Sequence, residues 1–138
     1  MPDQKAEEIT IQGGERAEWL RALEQLVDEA ECWAKKQSWH VRREMVSLQE
    51  DRLGSYDAPS LHIMVSKPAV FFQPVARYIV GAEGRVDLYR FPTYDTFILV
   101  RSKGRWQFVA TDTGPLDPPL PWNEETFVRL TEQLEAAS

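Results

Sequence analysis

The stretch VFFQPVARYIVGAEGRVDLYRFPTYDTFILVRSKGRWQFVAT, residues 70–111, decides the fold. β-Branched and aromatic residues crowd into short runs, parted by Gly81-Ala82-Glu83-Gly84, Pro92-Thr93-Tyr94-Asp95 and Ser102-Lys103-Gly104. Runs of this composition, bounded by turn residues, read as strands over 70–80 (interrupted by Pro74), 85–91, 96–101 and 105–111. Links this short join antiparallel neighbours, because a parallel crossover needs about a dozen residues or more. Upstream, 39–49 and 61–67 read the same way across the turn signal Gly54-Ser55-Tyr56-Asp57-Ala58-Pro59. An antiparallel meander of five or six strands is predicted.

A hairpin turn fixes which residues stand opposite each other. With residues 81–84 as a turn, Tyr78 opposes Asp87 and Ala76 opposes Tyr89. The next turns set Tyr89 against Ile98, then Ile98 against Phe108 and Val100 against Trp106. One face would hold Tyr78, Asp87, Tyr89, Ile98, Val100, Trp106 and Phe108. The other would hold Ile79, Val86, Leu88, Phe97, Leu99 and Val109, with Arg77, Arg101 and Gln107. A sheet solvated on one side should alternate apolar with polar, so two apolar faces each ask for a cover.

Both ends of the chain supply helices. Over 15–37 the apolar residues Trp19, Leu20, Leu23, Leu26, Val27, Ala30, Trp33 and Ala34 recur at the i, i+3, i+4, i+7 spacing of an amphipathic helix. Gly13 and Gly14 part it from a polar leader over 1–14, expected to be mobile. Residues 114–121 hold four prolines and read as an extended tether. Asn123 then caps a last helix whose stripe is Phe127, Leu130 and Leu134. The expected class is α+β, one domain over 15–138 with a helix from each end packed on the sheet. If both helices take one face, the exposed aromatic remainder marks an interface. If they take opposite faces, the domain is self-sufficient.

At 138 residues, 43% hydrophobic with five Trp, the chain has the composition of a globular protein. Its net charge of −6 is uneven: residues 1–37 hold 5 basic and 9 acidic side chains, 112–138 hold 1 and 6, and 38–111 hold 10 and 7. Nucleic-acid binders carry a strong basic patch, so nucleic acid is disfavoured. No apolar run approaches the ~20 residues of a membrane helix, and the first residues lack the pattern of a secretory signal. Cys32 is the single cysteine, which excludes an internal disulfide and fits a reducing, cytoplasmic setting.

Catalytic and metal signatures are weak. His40 and His62 fall far apart in the strand reading, and no HExxH, HxH or Cys-His spacing exists, so no metal is expected. Cys32 sits among mixed charges on the polar side of a helix, not where a thiol is activated. Asp87 followed by Asp95-Thr96-Phe97 resembles the acid and acid-x-lysine of restriction-endonuclease-like nucleases, but Phe97 stands where the lysine is needed. Size, acidity and helix–sheet–helix order resemble secretion chaperones and small bacterial immunity proteins in architecture, which carries no function.

The most site-like group is Tyr78, Asp87 and Tyr89 with Arg85 nearby, polar tips in an aromatic surface of the kind that interfaces favour. The expectation is a non-enzymatic interaction module, self-associating or binding a protein partner, without cofactor. The alternative is an anionic small molecule, or a minor enzymatic activity, in a pocket between sheet and helices, with Arg77 or Arg101 as the anion's partner.

Overall fold

A computed structural model gives the architecture, describing residues 4–66 and 69–136, the side chains of 4–12 excepted. The elements are α1 (Gln4–Lys36), β1 (His40–Glu50), β2 (Gly54–Met64), β3 (Ala69–Ala76), β4 (Gly84–Phe91), β5 (Thr96–Ser102), β6 (Arg105–Thr111), β7 (Gly114–Pro121) and α2 (Glu124–Ala136). The fold is α+β, and the strands lie in chain order in one antiparallel sheet. The meander is as predicted, with seven strands rather than five or six.

The additional strand is the proline-rich segment. Instead of a free tether, 114–121 pairs with β6 through Thr111↔Gly114, Ala110↔Pro115, Phe108↔Leu120 and Gln107↔Pro121. An edge strand has a partner on one side only, so prolines without N–H cost it little. The 54–59 turn signal is likewise absorbed into β2, and the hairpin turn lies at 51–53. Pro59 is tolerated there because β2 meets β3 only over 61–63, which leaves 54–60 paired with β1 alone. Around Pro59 the buried side chains change parity, from Tyr56 and Ala58 to Leu61 and Ile63, with no slip against β1. Ser60 is buried at the switch and donates from Oγ to the Glu44 carbonyl at 2.9 Å.

α1 runs through Gly13 and Gly14, where the sequence reading placed its start. Residues 1–3 of the expected leader lie outside the described residues, and from Gln4 its backbone is helical. Trp19, Leu23, Leu26, Val27, Ala30 and Ala34 are fully buried, as the periodicity requires. α2 starts as predicted: Asn123 accepts at Oδ1 from Thr126 N–H (2.8 Å) and at its carbonyl from Phe127 N–H (2.9 Å).

Both helices pack on the same face and touch each other. Between them and the sheet lies one core of Leu61, Ile63, Val70, Phe72, Val86, Leu88, Leu99 and Phe108. Trp122 closes it, 5.3 Å from Phe72 and nearly parallel to it, against Trp33 at 5.0 Å and Phe127 at 5.5 Å. Among the described residues, no helix lies over the opposite face of the sheet.

Candidate interaction surface

The uncovered face is built by in-register pairing. His62 stands opposite Phe71, Phe71 opposite Tyr89, and Tyr89 opposite Thr96. Their rings form a ladder: His62–Phe71 at 4.5 Å and 18°, Phe71–Tyr89 at 5.4 Å and 24°, Tyr89–Tyr94 at 5.8 Å and 14°. Tyr94 joins from the turn after β4, at a φ of 63°, and Phe91 meets Phe71 and Tyr94 edge-on. Near-parallel rings this close engage each other's faces, so the ladder turns ring edges outward. Phe91 and Tyr94 are about half exposed, and Val75 extends the apolar surface.

Polar groups edge the ladder in neutralised pairs. Arg85 holds Asp87 in a two-point contact, Nε–Oδ1 2.8 Å and Nη2–Oδ2 3.0 Å, which raises the guanidinium's pKa. Arg42 bonds Glu44 at 2.7 Å and contacts His62 Nδ1 at 3.3 Å. Tyr89 donates to Gln73 Oε1 at 3.2 Å. Burial first, and then nearby Tyr94 and Asp87, raises its pKa and keeps the phenol protonated. A cleft of about 190 Å³ opens here, lined by Gln73, Val75, Asp87, Tyr89, Tyr94 and Thr96.

Arg85, Asp87 and Tyr89 therefore come together as the sequence suggests, and Tyr78 does not. β3 ends at Ala76, which pairs with Arg85, and 77–83 leaves the sheet with one isolated bridge, Ile79↔Ala82. The connection spans 77–83 rather than 81–84, which takes Tyr78 out of the strand, and the partner of Asp87 is Gln73. Tyr78 instead donates to Glu15 of α1, and Arg52 bonds the same carboxylate at 2.8 and 3.0 Å. The Tyr78 hydroxyl, followed by Arg52, holds the Glu15 pKa below the ordinary carboxylate range. The β5–β6 turn is two residues, 103–104, with Ser102 opposite Arg105, rather than the three of 102–104, and so pairs Leu99 with Phe108 and Arg101 with Trp106. It moves Phe108 and Trp106 to the helix side, where Trp106 meets Trp19 at 6.0 Å.

The two arginines of the anion reading are tied into the fold. Arg101 Nη1 bonds Glu18 of α1 at 2.7 Å beside a 110 Å³ notch shared with Glu29 and Trp106. Arg77 presents its backbone N–H, with that of Tyr78, to Glu50 at 3.0–3.1 Å, and its guanidinium lies 5.0 Å from the centre of the Tyr78 ring. Glu50 also accepts from the Tyr56 hydroxyl. Arg43 receives three α1 carboxylates, Glu24 at 2.9 Å, Asp28 at 2.6 Å and Glu31 at 3.0 Å. The acidic helix thus spends much of its charge on the basic strands beneath it. Among the described side chains Glu29 differs: burial raises its pKa, and the Trp122 indole N–H lowers it without reaching the geometry of a formed hydrogen bond.

Phe71, Tyr94 and Gln73 belong to the surface and were not among the residues singled out by sequence. Phe71 carried the readable signal, since a register five residues different sets it against Tyr89. Among the described residues, no three His, Cys, Asp or Glu side chains are grouped to hold a metal ion, and no helix is long and apolar enough to cross a membrane. Comparison with protein families, with characterised proteins and with solved structures finds no match for this chain.

Proposed function

We propose that the chain is a non-enzymatic interaction module that docks a partner protein on the uncovered sheet face. One observation carries this reading: both helices lie on the same side, leaving an aromatic ladder across β2, β3 and β4 without a cover. Contiguous exposed aromatics rimmed by polar groups mark protein contacts more often than idle surface. The occupant favoured is protein rather than nucleic acid, because Arg85 and Arg42 are already neutralised by Asp87 and Glu44 and the ring faces a base would stack on are engaged with each other. An anionic ligand under the helices is the weaker alternative, since Glu18 already occupies Arg101. The exposed thiol of Cys32 suits a reducing, cytoplasmic setting.

The test is crosslinked capture with the tagged full chain beside Tyr89→Ala and Arg101→Ala, after nuclease treatment, with oxidative footprinting of the captured complex. A partner retained by wild type and Arg101→Ala, lost with Tyr89→Ala, and protecting Tyr94 and Phe91 supports the reading. Equal capture by wild type and Tyr89→Ala, with both folded, removes it.

A further inference from the structure

The sheet has two edges, and they are built differently. β7 presents Pro115, Pro118, Pro119 and Pro121, each without the N–H that an added strand would need. β1 is eleven residues long, contains neither proline nor glycine, and among the described residues pairs only with β2. One edge is closed to strand addition and the other is open.

We propose that β1 pairs antiparallel with β1 of a second copy, about a twofold axis at Arg43. Charge selects this register. Arg42 and Glu44, 63% and 45% exposed, bond each other within the strand; about that axis Arg42 faces the partner's Glu44, and the converse pair repeats it. Two in-strand ion pairs become a ring of four alternating charges. Met45, 59% exposed, comes opposite the partner's Val41, which covers an apolar side chain that has no cover in one copy. A register centred on Val46 would bring Arg42 to Glu50, but that carboxylate is already engaged by Arg77 N–H, Tyr78 N–H and the Tyr56 hydroxyl.

Arg43 meets its own copy at the axis without an uncompensated charge, because Glu24, Asp28 and Glu31 already surround it. Lys35 also pairs with Glu31 at 3.4 Å, which further neutralises the acids of α1 beside the axis. A twofold axis perpendicular to the sheet keeps both uncovered faces on one side. The dimer presents two aromatic ladders in one plane, which raises the avidity for any partner with two matching sites. The pairing does not depend on what occupies the ladder.

Sedimentation equilibrium of the full chain over about 1 to 200 µM tests it. Wild type should associate reversibly to a dimer. Arg42→Glu and Glu44→Arg should each weaken dimerisation about 100-fold, since twofold symmetry places every reversal twice. The exchange Arg42→Glu/Glu44→Arg should restore affinity to within about threefold, and Phe71→Ser/Tyr89→Ala should dimerise as wild type. Wild type monomeric throughout that range overturns the proposal, as does a dimer indifferent to both reversals. A dimer abolished only by the ladder variant overturns it too and moves self-association to the sheet face. Circular dichroism checks that each variant is folded.

Discussion

Ser38 ends α1 at a φ of 65°, with Ser38 N–H bonded to the Lys35 carbonyl at 2.9 Å and Trp39 N–H to that of Ala34 at 3.2 Å. This paired arrangement usually employs glycine at the left-handed position, because a Cβ there is disfavoured. Ser38→Gly should therefore stabilise the protein by up to about 1 kcal/mol, read from urea denaturation. Gly84 shows the reverse requirement. Its φ is ordinary, but a Cβ would fall well inside van der Waals contact with the indole ring of Trp19, which is fully buried and cannot retreat. Gly84→Ala should cost about 1 to 3 kcal/mol, and Gly84→Ala in a Trp19→Phe background should cost less.

At the scale of elements, α1 is held by ion pairs and hydrogen bonds to residues far along the chain. The Tyr78 hydroxyl and Arg52 depress the folded pKa of Glu15 below its unfolded value, so its contribution is present above the ordinary carboxylate range and fades as pH falls through the depressed value. The gap in melting temperature between wild type and Glu15→Gln should narrow from about pH 5 to about pH 3. No narrowing would mean that the carboxylate does not anchor this loop to the helix. These pairings also mark what was legible in the sequence. The stripe of α1, the Asn123 cap and the strand runs could be read because each depends on local periodicity or a local hydrogen bond. The extents of two connections could not: 77–83 rather than 81–84 joins β3 to β4, and 103–104 rather than 102–104 joins β5 to β6. A run of residues that can serve as strand or as turn does not fix where the strand stops. Each connection reassigned residues, Tyr78 to the helix and Trp106 with Phe108 to the core.

For the whole molecule, what decided the candidate surface was the choice of one face by both helices. Two faces of similar apolarity left that choice open in the sequence, and the aromatic cluster around Trp122, which joins α1, α2 and the sheet, resolves it. The uncovered face kept Arg85, Asp87 and Tyr89 from the sequence reading and gained Phe71 and Tyr94. The chain order of the seven strands has a further outcome for biosynthesis. Each hairpin can zip against the one made just before it, with no threading. The first helix is different: its Trp19 packs against Gly84 and its Glu18 bonds Arg101, 83 positions later. On a ribosome adding roughly 5 to 20 residues per second, the leucine-rich stripe of that helix emerges several seconds before the strands that bury it. The nascent chain passes through a stage when the apolar stripe of this helix is bare, and chaperone capture during synthesis would act on that segment first.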